Sequence, residues 1–193
     1  MMIFLILLPF GVFSALMLLT SADLALFAAA ATGLAVIAHD RLRGRQLKML
    51  GAGSVALFLG LGLYLTLVDA GLSASAIKLT VDAGVLAIAL ASLAIRHPFS
   101  LQYAREVVDA EIAVLPGFVK ANYIITWAWA ACMLLMMIGN ILMIYLPSVP
   151  LWAGIAIAFA ARGTAVYFTK WYPDYQKAKL TTPAGPAGAL SGS

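Results

Sequence analysis

The sequence predicts an all-α, polytopic transmembrane bundle of six helices, with one further, interfacial helix between the fourth and the fifth. Three observations lead there. First, 64% of the 193 residues are hydrophobic and only 10% are charged, with a mean hydropathy of +1.01. A soluble domain carries about 25% charged residues. So apolar a chain cannot cover itself with a wetted surface, and lipid must be part of its solvent. Second, six apolar runs stand out, at about Met2–Thr20, Leu24–Ala38, Met49–Val68, Leu79–Ile95, Ala121–Leu146 and Leu151–Thr169. Third, the connectors between them alternate between basic and non-basic.

Most runs approach the ~20 residues that cross a hydrocarbon core as a helix. Helices are the form such runs must take, because lipid offers backbone groups no hydrogen-bond partner. The first run has small residues near a possible cleavage point ("LTSAD"), as a signal peptide does. It lacks a basic leader and is long for the apolar part of one, so a retained spanning helix is expected. The second run is short and needs flanking residues to span.

The connector "HDRLRGRQLK" carries Arg41, Arg43, Arg45 and Lys48; the segment after the fourth run carries Arg96, Arg105 and Lys120; the tail carries Lys170, Lys177 and Lys179. The connectors "TSAD" and "PSVP" carry no basic residue, and "VDAGLSASAIK" carries only Lys78. The positive-inside rule then puts the three basic segments and both termini in the cytoplasm, which for a bacterial chain means the inner membrane. Arg41, Arg43, Arg45, Lys48, Arg105 and Lys170 are accordingly expected at the membrane surface. This placement also disposes of nucleic acid as the reason for the net charge of +4. The bilayer is the expected partner, together with other membrane proteins or a second copy.

The segment "HPFSLQYAREVVDAEIAVLPGFVK", His97–Lys120, breaks the apolar chain. Pro98 can open a helix, where its missing N–H would be unpaired anyway, and Pro116–Gly117 can close one. At ~100° per residue, Arg105, Glu106 and Asp109 share a narrow face, and apolar side chains cover most of the rest. A helix over Phe99–Leu115, lying along the cytoplasmic membrane surface with its apolar side down, is the expectation. The alternative is a loop packed on the end of the bundle. Beyond the helices, residues 1–171 form the transmembrane domain. Residues 172–193, ending in the charge-free "TTPAGPAGALSGS", form a largely disordered cytoplasmic tail.

Some residue types invite a chemical reading that their setting makes unnecessary. Cys132 stands alone in an apolar run and fills space. His39 and His97 follow the second and fourth runs and read as ordinary interfacial side chains, so no metal or other cofactor is expected. "KWYPDYQK" beside a membrane reads as an aromatic belt with lysine anchors. The glycines and alanines of the runs suit close helix packing. No nucleophile and base share a recognisable motif, and the chain reads as non-enzymatic.

Polar residues inside the runs are fewer and more informative. A charge at membrane depth costs at least ~2.5–3.5 kcal/mol on insertion scales, so it faces the interior and has a partner. Arg162 lies about midway along the sixth run. Asp82 lies roughly five residues outside the middle of the fourth helix, or ~7.5 Å at 1.5 Å per residue. Asn140 sits in the outer half of the fifth. Depth alone predicts one polar cluster of Arg162, Asp82 and Asn140, with Tyr64 as a fourth member.

The stretches "HPFSLQYARE", "PGFVKANYIITWAW" and "MIGNILMIYLP" resemble a group of bacterial membrane proteins, and the layout over most of residues 5 to 146 is similar to the intracellular septation protein A family. Leu8–Pro9, Pro98, Asn122, Trp127 and Gly139–Asn140 carry that likeness, while the family's Phe-Lys pair is missing after Trp152. The resemblance implies an inner-membrane scaffold tied to the envelope and to division. The intramembrane polar residues imply the rival reading, a small-solute transporter or channel with a polar site between helices. A tightly packed interior with a flat apolar face favours the first, and a water-filled, polar-lined cavity favours the second.

Overall fold

The computed structural model describes residues 2–69, 71–146 and 151–181, and these are helical apart from short connections. The helices are α1 (Met2–Leu19), α2 (Ala22–Leu42), α3 (Met49–Leu67), α4 (Ala74–Ala94), α5 (Phe99–Ala104), α6 (Ala110–Ala113), α7 (Pro116–Tyr145) and α8 (Leu151–Thr181). Four of them, α2, α3, α4 and α7, are long and apolar enough to cross a membrane. The chain is a multi-pass integral membrane protein. The "PSVP" connector and residues 182–193 of the expected disordered tail lie outside the described residues. The first part of that tail is helical, because α8 runs on through Pro173 to Thr181.

The long helices pack in chain order, α1 on α2, α2 on α3, α3 on α4, α4 on α7 and α7 on α8. Among the described residues, α1 and α8 share no extensive contact. The core lies on α2, α3 and α4. Ile77, Val81, Val85 and Ala89 recur every four residues and give α4 one buried stripe. Phe58 of α3 is fully buried, with the rings of Phe10 and Phe13 of α1 at 5.4 and 5.5 Å. Lipid gives helices little hydrophobic reason to associate, so close backbone approach matters. Gly33 of α2 supplies it: a β-carbon there would lie 2.6 Å from Cγ2 of Val55 on α3 and 3.7 Å from Cγ of Pro9 on α1.

Each helix end has a local cause. Gly44, at φ 71°, takes the left-handed turn after α2, and Arg45 N–H comes back to the Asp40 carbonyl at 3.0 Å. Arg96 takes the same conformation after α4, at φ 59°, and His97 N–H donates to the Ser92 carbonyl at 3.0 Å. The Ser92 hydroxyl then accepts from Phe99 N–H at 3.1 Å, which fixes where the crossover starts.

The single interfacial helix expected over Phe99–Leu115 is two short helices, α5 and α6, separated at residues 105–109. They pack on the end of the bundle. Phe99 and Leu101 are buried, and the Ser100 hydroxyl donates to the Asn122 carbonyl of α7 at 2.7 Å. Gln102 accepts from Met49 N–H, the first residue of α3, at 2.7 Å. The break follows from Glu106, which turns inward onto a lysine instead of staying on the polar face with Arg105 and Asp109.

Candidate binding site

Two polar groups of residues stand at different depths, with one cavity between them. The first lies at the basic end of the bundle. Lys48, the residue before α3, is only 6% exposed. Its ammonium is 2.5 Å from Asp40 Oδ2 and 3.0 Å from Glu106 Oε2. Arg45 bridges the same two carboxylates, 3.0 Å from Asp40 and 3.7 Å from Glu106. Two acids and two bases make a neutral set, which is how charges tolerate partial burial. The Tyr103 ring lies 4.9 Å from the Lys48 ammonium. Burial, with Asp40 and Glu106 adding repulsion, raises the Tyr103 hydroxyl far above the ordinary tyrosine value, so it stays a neutral phenol. Both Glu106 oxygens are buried without an aligned hydrogen bond, so the Lys48 contact acts as a charge contact alone. A small void of about 40 Å³ borders Asp40, Lys48 and Tyr103, enough for a water molecule.

The second group lies at membrane depth. The Asn140 amide of α7 donates to Asp82 Oδ2 of α4. Arg162 of α8 faces the same space and acts on Asp82 through space, yet no carboxylate lies within 4.0 Å of it among the described residues. Tyr64 is not part of this group. It is 42% exposed on the outer surface of α3. Depth arithmetic cannot see the rotation of a helix about its axis, and α3 turns Tyr64 away.

Between the groups is a cavity of about 760 Å³. Asp82 and Val85 of α4 stand on one wall, and Ile125, Trp129, Met133 and Met136 of α7 on the next. Arg162, Thr169 and Pro173 line it from α8, and Leu7 and Phe10 from α1. The crossover closes the basic end with Phe99, Tyr103 and Glu106. The Trp129 indole donates to the Thr169 hydroxyl at 2.9 Å and pins α7 to α8 along this wall. The volume falls within the ~300–1,000 Å³ of small-molecule sites, and mostly apolar walls with a few polar groups are their usual makeup.

The sequence-predicted surface residues divide. Arg41, Arg43, Arg105 and Lys170 are exposed at the basic end, and the rings of Phe168, Trp171, Tyr172 and Tyr175 cluster beside Lys170. Arg45 and Lys48 are instead drawn into the ion network. The partners missed from sequence are Asp40, Tyr103 and Glu106. One signal was present: Asp40 is the single acid in its connector, five and eight residues before Arg45 and Lys48. No family model, curated protein or solved structure matches this chain.

Proposed function

We propose that this chain is a six-pass protein of the bacterial inner membrane that holds a small solute between its helices, as a transporter or carrier does. The observation behind this reading is Arg162: a guanidinium on the wall of a mostly apolar cavity of about 760 Å³, with no ion-pair partner within 4.0 Å among the described residues. A charge at membrane depth marks a functional site by default. In the six-pass reading α1 and α8 join α2, α3, α4 and α7 as spanning helices, with both termini cytoplasmic. The Lys48–Glu106 contact supports it, because it brings two of the three basic segments to one end of the bundle. Reporter fusions after Lys48, after Lys120 and at Ser193 should read cytoplasmic, and one after Ser75 external. A cytoplasmic reading at Ser75 contradicts the topology.

The envelope or division scaffold is the second reading, and the short septation-protein motifs alone favour it. The two make different predictions for protein purified from native membranes. Ala104 and Ala121 both line the cavity. The double variant Ala104→Phe/Ala121→Phe narrows it without touching the outer surface. The solute-site reading predicts a small molecule that accompanies the wild-type protein and is lost from the variant. Identical small-molecule content in both, with unchanged co-purifying proteins, rejects the solute site and leaves the scaffold.

A further inference from the structure

The solute's chemistry is written on the cavity's walls and on its open side. Water-soluble substrates need polar lining along their path, yet here polar groups gather at the two ends and the middle is Ile125, Trp129, Met133 and Met136. The end facing the basic segments is closed by the crossover and its ion network. The side is different. Leu7 and Phe10 of α1 face Thr169 and Pro173 of α8 across the cavity, and these two helices share no extensive contact among the described residues. Sequential packing that never closes leaves a lateral gap toward the bilayer.

Arg162 and Asp82 set the headgroup. Arg162 has no carboxylate within 4.0 Å among the described residues, and its guanidinium suits an anionic oxygen acid. Asp82 accepts from Asn140 at one oxygen, and its other oxygen can take a second donor. A group placed between them must therefore be dipolar, with an anion toward Arg162 and an ammonium or hydroxyl toward Asp82. A cavity of about 760 Å³ suits one acyl chain with a small head rather than two chains.

Resting on the reading of this cavity as a solute site, we infer that its ligand is a single-chain amphiphile with a dipolar, phosphate-bearing headgroup. It enters sideways from the bilayer between α1 and α8, sets its head on Arg162 and Asp82, and lays its chain along Trp129 toward the crossover. Lys48, Arg45, Asp40 and Glu106 then form the floor of the site. They do not hold the headgroup, because their charges already satisfy one another.

Trp129 reports on the chain and Trp127 provides the control, being 58% exposed on the outer surface of α7. Two single-tryptophan proteins in detergent micelles, each with the other three tryptophans changed to Phe, are titrated with lysophosphatidylethanolamine whose acyl chain is dibrominated. Quenching of Trp129 should saturate and be reversed by the unbrominated lipid, while quenching of Trp127 should rise without saturation. Arg162→Gln should weaken the saturable binding at least about tenfold and leave weaker binding of a dibrominated monoacylglycerol unchanged. Arg162→Lys, which keeps the charge, should lie between, and it keeps the test valid if the glutamine variant fails to fold. Equal, unsaturable quenching of both tryptophans overturns the proposal. So does unchanged affinity in Arg162→Gln, or displacement by free glycerophosphoethanolamine as effective as by the whole lipid. If those results coincide with a water-soluble molecule that is lost from the Ala104→Phe/Ala121→Phe variant, the solute site stands and only the amphiphile falls.

Discussion

Lys48 illustrates how a residue typed from sequence as a surface anchor can become a structural centre. Next to three other basic residues in ten, it reads as a contact to lipid headgroups. Its true neighbours, Asp40 and Glu106, lie 8 and 58 residues away in sequence. The second depends on how the crossover seats on the start of α3, which no local pattern encodes. Removing one partner of a buried ion pair strands the other and typically costs ~3–5 kcal/mol. Lys48→Met and Glu106→Gln each leave the network with one uncompensated charge, and each should lower the melting temperature in detergent, through a loss of stability of up to about 3 kcal/mol because Arg45 and Asp40 remain as partners. The double variant should lose less than the sum, because the stranded charge is gone. Additive losses would mean the two side chains do not interact. The deeper group shows the opposite case. Asp82 and Asn140 were legible together because depth follows from counting residues along helices of known direction. The rotation of α3 was not, which is why Tyr64 lies elsewhere.

At the level of helices, composition says that small residues permit close approach but not which ones are used. Gly33 and Gly60 look alike in sequence, each within an apolar run. A β-carbon on Gly33 meets the stiff Val55 side chain at 2.6 Å, whereas one on Gly60 meets nothing within 4 Å. Gly33→Ala should therefore destabilise by ~1–3 kcal/mol through overpacking of α1, α2 and α3. Gly60→Ala should be neutral or stabilising by ~0.5–1 kcal/mol, since alanine is the better helix former. Thermal melts of the two variants side by side check this, and equal losses would deny that the α2–α3 contact is set at Gly33. Each apolar run falls on a long helix among the described residues, four of which are long and apolar enough to span, but the helix ends shifted by local chemistry. α2 extends past Ala38 to Leu42 because "HDRL" contains no glycine or proline to interrupt the backbone ladder before Gly44 takes its turn. The crossover misled for a related reason. Its apolar periodicity predicts one continuous helix, and the pull of Lys48 on Glu106, a tertiary interaction, divides it in two.

For the whole molecule, the deciding feature is the path of packing. Each long helix rests on the one before it, and the crossover bridges α4 to α7 while closing one end of the space they enclose. The result is a row of helices with a packed core over α1 to α4 and a cavity bordered by α4, α7, α8 and the crossover. On the carrier reading proposed above, the Arg162 guanidinium on the cavity wall is the group that meets the solute. Photo-crosslinking tests this directly. p-Benzoylphenylalanine is placed at Met136, on the cavity wall, and in a second protein at Trp127, on the outer surface. After irradiation in native membranes, intact-protein mass spectrometry should give one dominant small-molecule adduct at Met136 and a heterogeneous set of bulk-lipid adducts at Trp127. Crosslinks from Met136 only to neighbouring helices, with no small-molecule adduct, would show a closed interior and contradict a solute site between the helices.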